Sequence, residues 1–118
     1  MRIDLHTHSS VSDGTDTPTQ LVRKAAEAGV DVLGLTDHDT FDGLREARLA
    51  AESAGVLVLP GIEMSCQLDG ASVHLLGYGC DPHFEALLDE LADSDLLHKA
   101  RARLARKSEA IEVDFDDL

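Results

Sequence analysis

Aromatic residues make up 3% of this 118-residue chain and tryptophan is absent, which leaves little surface for bases to stack on. Basic residues are scarce as well: 10 Lys and Arg stand against 23 Asp and Glu, for a formal net charge of −13. That balance repels the phosphate backbone of a long nucleic acid over most of the surface and argues against a nucleic-acid scaffold. It does not forbid a small phosphorylated substrate, provided that cations, metal ions included, reverse the field inside one pocket. No apolar run approaches the ~18 residues that a membrane span requires. The opening Met1-Arg2-Ile3-Asp4-Leu5 enters a strand-like alternation with no signal-peptide core. The chain is therefore expected to be cytoplasmic, with no membrane partner. Cys66 and Cys80 have neither CxxC spacing nor a secreted context, and read as buried or idle thiols.

What is present is a globular composition, 43% hydrophobic and 28% charged, of a size for one modest domain. Residues 2–8 alternate, with Ile3, Leu5 and Thr7 on one side of a strand and Asp4, His6 and His8 on the other. Thr17-Pro18-Thr19-Gln20 combines an N-cap, a proline at the first helical position and a capping-box Gln, and Leu21, Val22, Ala25 and Ala26 follow at helical spacing until Gly29. Val32-Leu33-Gly34-Leu35 reads as a strand covered on both faces, and residues 42–54 return to helical spacing before Gly55. Val56-Leu57-Val58-Leu59 reads as a third buried strand stopped by Pro60-Gly61, and Val73 to Tyr78 as a fourth, with Asp69-Gly70 as the turn before it. The order β-α-β-α-β-β predicts an α/β fold with a parallel sheet. Residues 81–107 read as helical: Asp81-Pro82 starts the segment, and Phe84, Leu87, Leu88 and Leu91 fall on one face. A basic stretch from Lys99 to Lys107 is a solvated helix face, and the last seven residues are acidic.

The residues that can do chemistry gather at the expected strand ends. In a strand, residues i and i+2 project from one face, so His6 and His8 can converge on one ion, with Asp13 in the following loop supplying oxygen. Asp4 is either a partner for an imidazole N–H or simply solvated. Thr36-Asp37-His38-Asp39-Thr40 follows the buried second strand directly, where α/β folds place their sites, which marks His38. Asp37 and Asp39 can orient that ring or cap the next helix, with capping the better role for Asp39. Glu63 holds the equivalent position after the third strand, and His74 lies inside the fourth. His83 and His98 fall in the helical region and read as surface residues. Together His6, His8, Asp13, His38, Glu63 and His74 offer four imidazoles and two carboxylates, more than a single four-coordinate ion needs. Two or more divalent ions are expected, with Glu63 able to bridge them. The mixed nitrogen and oxygen donors suit Mn, Fe or Zn better than Ca or Mg. Clustered ions of this kind lower the pKa of a water and neutralise phosphoryl oxygens, which points to metal-assisted phosphoester hydrolysis.

Four stretches in this order resemble the PHP family, the polymerase and histidinol phosphatase-like metal-dependent phosphoesterases. They are Asp4-Leu5-His6-Thr7-His8-Ser9 with Ser12-Asp13-Gly14, Leu35-Thr36-Asp37-His38-Asp39-Thr40, Gly61-Ile62-Glu63-Met64-Ser65, and His74-Leu75-Leu76-Gly77-Tyr78. The second, with Gly43, is most similar to the branch that removes the 3′-phosphate from nucleoside 3′,5′-bisphosphates and trims short RNA from its 5′ end. The resemblance implies a distorted (β/α)7 barrel with two or three divalent ions at the carboxyl ends of its strands. It carries over His6, His8, Asp13, His38, Glu63 and His74 as metal ligands, and His38 with Asp13 as catalytic residues. Its partners would be a small phosphorylated nucleotide or a short RNA end. Residues 1–80 then correspond to the N-terminal part of the metal-binding domain, and 81–118 to the start of the family's helical insertion. Members of this branch run to roughly 250 residues and place a further His and an Asp-x-His pair in their second half. An open half-barrel would expose strand edges and an apolar face, favouring self-association unless another chain covers them. Two other readings stay open: a non-catalytic metal-binding fragment, and the PHP module of a histidinol phosphatase or a DNA polymerase.

Overall fold

A computed structural model describes residues 1–83 of the chain. The elements are β1 (Ile3–Thr7), α1 (Pro18–Glu27), β2 (Val32–Leu35), α2 (Leu44–Ala54), β3 (Leu57–Leu68) and β4 (Ala71–Tyr78). The order expected from the sequence is the order observed. At the start of α1, Gln20 N–H donates to Thr17 Oγ1 at 3.2 Å while Thr17 N–H donates to Gln20 Oε1 at 2.9 Å, the reciprocal capping box that the local sequence predicts. The two helices pack on the parallel part of the sheet through Val22, Ala25, Leu44, Ala47 and Ala51, against Leu33, Leu35, Val56 and Val58.

The sheet order is β1-β2-β3-β4; β1 and β2 are parallel, β2 and β3 parallel, and β3 and β4 antiparallel. The sheet curls as a half-barrel, so that the Tyr78 hydroxyl at the end of β4 donates to the Leu5 carbonyl of β1 at 2.7 Å. A second cluster of Ile62, Met64 and Cys66, joined by Phe41, Val73 and Leu75, fills one face of the β3–β4 hairpin. Cys66 is buried there, as expected, with its Sγ 3.5 Å from the Met64 carbonyl.

The third strand departs from expectation. Pro60-Gly61 does not stop it; β3 continues to Leu68. Up to Pro60 it pairs in parallel with β2, and from Gly61 it pairs antiparallel with β4. Proline lacks a ladder donor, and that is tolerated where a strand changes partners. Gly61 answers a close approach: a Cβ there would lie 2.8 Å from Thr36 Cγ2 and 3.2 Å from the Leu35 carbonyl oxygen. The strand is also not wholly buried, because Leu57 is 65% exposed while Val56 and Val58 are covered. β4 begins at Ala71 rather than Val73, directly after the Asp69-Gly70 turn.

Ile3, Leu5, Val11, Leu49, Leu57 and Tyr78 are exposed. Among the described residues no helix is long and apolar enough to cross a membrane. The helical face at Phe84, Leu87, Leu88 and Leu91, His98 and the basic stretch from Lys99 lie outside the described residues.

Candidate metal centre

The site is built at the end of the sheet where β1 and β2 stop and β3 crosses to its new partner. Pairing of β1 with β2 runs Ile3↔Val32 and Asp4↔Leu33, then slips to Thr7↔Leu35, so β1 carries one extra residue before its end. Bulges of this kind re-aim a side chain. Gly34 makes room for this one, since a Cβ there would lie 2.7 Å from the Leu5 carbonyl oxygen. Thr36 N–H and hydroxyl both donate to the Thr7 carbonyl, at 2.9 and 3.1 Å, which closes the end of β1 onto β2 just before His8.

All six residues singled out by sequence come together. Glu63 is the hub. Its Oε1 meets His6 Nε2 and lies 3.5 Å from His8 Nε2, while its Oε2 is 3.1 Å from His38 Nδ1 and 2.9 Å from His74 Nδ1. Asp13 closes the other side, with Oδ2 3.2 Å from His38 Nε2 and Oδ1 3.5 Å from His8 Nδ1. The His8 and His38 rings stack at 4.6 Å between centroids, and His6 and His74 flank them edge-on at 5.1 and 5.2 Å. Three overlapping triads result: His6, His8 and Glu63; His8, Asp13 and His38; and His38, Glu63 and His74. Within each, the candidate ligand atoms lie within 4.8 Å of one another.

Glu63 is not the loop residue its sequence position suggests. It lies inside β3, only 4% exposed, and the preceding and following peptides hold it. Its N–H donates to the Asp37 carbonyl and its carbonyl accepts from Asp39 N–H, both at 3.1 Å. In the register of the hairpin, His74 faces Ser65, so His74 and Glu63 are diagonal neighbours on one face. Burial drives the Glu63 carboxyl upward, but the hydrogen bond from His6 and the fields of His38, His8 and His6 outweigh it and hold the group below its ordinary value of 4.5.

The flanking acids behave differently from the sequence reading. Asp39 caps no helix: the N-cap of α2 is Gly43, which offers no side-chain cap. Instead Asp39 takes a left-handed φ of 57° and accepts from Ser65 N–H at 2.7 Å, pinning β3 beside the site. Asp4 takes the solvated alternative: it is exposed, and its carboxylate accepts from the His6 backbone N–H at 3.2 Å. Asp37 neither caps α2 nor touches the His38 ring. It is 1% exposed, and it accepts from Ser9 N–H, the Ser9 hydroxyl and the Ser12 hydroxyl at 2.7, 2.7 and 2.8 Å. His83 is exposed, as expected.

The PHP domain family matches residues 4–112. The chain belongs to this family. A 5′-3′ exoribonuclease of Haemophilus influenzae is 39% identical to this PHP chain over 101 residues, 86% of the chain and 37% of the relative. A 3′,5′-nucleoside bisphosphate phosphatase of Chromobacterium violaceum is 46% identical over 85 residues, 72% of the chain and 30% of the relative. A structure described as a candidate metal-dependent phosphoesterase of Bifidobacterium adolescentis superposes with a TM-score of 0.73 at 33% identity, covering 98% of the chain and 41% of that protein. The chain thus spans about a third of the length of these two curated relatives.

Two observations on the PHP site fit divalent cations. Among the described residues the buried His8 Nδ1 has no hydrogen-bond partner, with Asp13 Oδ1 standing off at 3.5 Å, an arrangement that costs free energy unless something accepts its lone pair. The donor set, four imidazoles around a buried carboxylate with a second carboxylate at the rim, is of the mixed nitrogen and oxygen kind that divalent transition metals take. What sequence reasoning missed is the support: the bulge in β1, and the Ser9-Ser12-Asp37 cluster. The signal for the cluster was a serine pair three residues apart directly after His8, which a buried carboxylate could collect.

Proposed function

We propose that this chain contributes the metal-holding end of a phosphoesterase acting on small phosphorylated nucleotides, with nucleoside 3′,5′-bisphosphates and the 5′ ends of short RNA as the substrate class. The observation that carries the proposal is the convergence of four imidazoles and two carboxylates at one end of the curled sheet. The activities of the Haemophilus and Chromobacterium relatives, both phosphoester chemistries on nucleotides or RNA, support it. The motif Leu35-Thr36-Asp37-His38-Asp39-Thr40 with Gly43 supports the same branch.

His6, His8, Asp13, His38, Glu63 and His74 would hold two or three divalent ions, of Mn, Fe or Zn. Ions held there supply Lewis acidity toward phosphoryl oxygens and lower the pKa of a water. Glu63 offers one oxygen to the His6 and His8 side and the other to the His38 and His74 side, so a single buried carboxylate serves both halves of the cluster. His38 can give one nitrogen to an ion and keep a proton on the other; its Nδ1 faces Glu63 at 3.1 Å and its Nε2 faces Asp13 at 3.2 Å, so with Nδ1 as the ligand, His38 and Asp13 form the pair able to hold and pass a proton at the rim of the site. A small substrate is the class that suits a chain of net charge −13, since attraction to phosphate is confined to this one pocket. Such substrates go with a cytoplasmic site of action.

The test is phosphate release from 3′,5′-bisphosphorylated adenosine by the chain with added Mn. Release is expected from wild type and is expected to be lost in His8→Ala; equal release from both overturns the proposal. Turnover of histidinol phosphate or of single-stranded DNA in preference would move the chain to another branch of the family. A second reading is a metal-binding module without turnover, since the cluster of candidate ligands stands on these residues whether or not chemistry follows. In that case Mn raises the melting temperature and no phosphate appears.

A further inference from the structure

We infer that Asp37 is a positioning residue that ties the loop carrying Asp13 to the peptides carrying His38 and Glu63, and so sets the second triad of the cluster. The inference rests on the proposal above that these side chains hold cations, and it concerns a residue that supplies no ligand atom itself. Three segments of the chain meet on Asp37. Its side chain collects both donors of Ser9 and the hydroxyl of Ser12, at 2.7, 2.7 and 2.8 Å, so both ends of the Ser9–Ser12 turn are fixed one residue before Asp13. Its own carbonyl accepts from Glu63 N–H at 3.1 Å. His38 is the next residue along the chain.

Such a buried carboxylate is costly unless its charge is met. Here three donors meet it, and the N-terminus of α2 stands beside it: a Cβ on Gly43, the N-cap, would lie 3.1 Å from Asp37 Oδ2. The carboxylate's two oxygens hold the loop, and the positive end of α2 beside them offsets their charge. The loop has backbone bonds of its own, Ser12 N–H and Gly14 N–H to the Ser9 carbonyl at 3.2 and 2.8 Å, which give it a compact shape. Those bonds are internal and do not fix where the loop sits over His8 and His38. Asp13 is more than half exposed, at 63% of its side chain, and meets the rest of the site only at 3.2 and 3.5 Å. Its position is therefore inherited from the loop, and the loop's from Asp37.

The experiment is a double-mutant cycle on Mn binding by the 118-residue chain, with folding checked by circular dichroism. Asp37→Ala is expected to weaken Mn binding about 10- to 100-fold, the loss typical when the partner of a ligand is removed. In an Asp13→Ala background it is expected to cause little further loss, because the ligand it positions is already gone. A merely structural residue would weaken Mn equally in both backgrounds, and that result overturns the inference while leaving the metal site standing. Asp37→Asn keeps an acceptor for Ser9 N–H and Ser12, and the Ser9 hydroxyl can turn to accept from the amide, so Asn is expected to restore most of the affinity. An Asn variant as weak as Ala also overturns it. Should Asp37→Ala fail to fold, Ser12→Ala run through the same cycle decides, with a smaller loss that again vanishes without Asp13. A wild-type chain that takes up no Mn overturns the metal site and this inference together.

Discussion

The two halves of the sheet deliver their side chains to the site in different ways. In the parallel half, His6 lies in β1 itself, His8 and Asp13 follow its end, and His38 stands past β2, where a single parallel bridge to Glu63 is all that remains of the ladder. In the antiparallel half, Glu63 and His74 lie within β3 and β4, and the ladder itself sets their spacing. The first arrangement needs auxiliary bonds, and it has them in Asp37, Ser9, Ser12 and Thr36. The second needs only register. Glu63 belongs to both, because it is a hairpin residue whose N–H and carbonyl are bonded to Asp37 and Asp39 on the parallel side.

Breaking that shared residue should do the most damage. Glu63→Ala removes the carboxylate that faces His6, His8, His38 and His74 at once. Mn affinity is expected to fall by more than about 100-fold, beyond the loss seen when only a supporting partner is removed. A loss no greater than that of His74→Ala would show that the halves work independently. Acid tests the same carboxylate without metal. Its folded value lies below its ordinary 4.5, so its contribution to stability is full above 4.5 and is lost as pH falls through the lower folded value. Urea midpoints of the metal-stripped wild type should decline more steeply on that acid limb than those of Glu63→Gln.

The junction between the halves comes next. Gly61→Ala places a methyl group 2.8 Å from Thr36 Cγ2, and accommodating it should cost about 1–3 kcal/mol in urea denaturation, the range for overpacking at a tight contact. The tightest contact falls at the end of β2, with the Gly77 carbonyl oxygen of β4 next at 3.1 Å, so His38, two residues beyond Thr36, should feel the strain more than His74 does.

The same division explains what the sequence made legible. The β-α-β-α order followed from alternation, the capping box at Thr17 and glycines past the helix ends, because each of those signals is local. His6, His8, Asp13 and His38 could be picked out since polar residues following an apolar strand are conspicuous. Glu63 was found by analogy with His38, yet its setting was misjudged: Pro60-Gly61 reads as a stop, and only the presence of β4 as a new partner shows that the strand continues. His74 was ambiguous because a side chain inside a hairpin has no assignable face until register is known. Asp37 was the least legible. Its partners Ser9 and Ser12 lie 28 and 25 residues earlier, and nothing near it in the chain distinguishes a loop anchor from a helix cap.

The smallest expected effect lies at the far end of the hairpin, and it separates the two halves most cleanly. Asp69 and Gly70 both have positive φ, 51° and 79°, the pattern of a two-residue turn that sets the pairing Leu68↔Ala71 and, through it, Ser65↔His74. Gly70→Ala should cost about 1 kcal/mol by urea denaturation, the penalty of a Cβ in the left-handed region. Space is no obstacle, because nothing lies within 4 Å of such a Cβ. The loosening should reach His74, whose place depends on hairpin register, and stop at Glu63, whose backbone is also held by Asp37 and Asp39. A Mn titration of this variant should therefore weaken only the ion that needs His74, by a few-fold at most. Equal weakening of every ion would mean that the ladder, and not the parallel-side bonds, holds Glu63 in place.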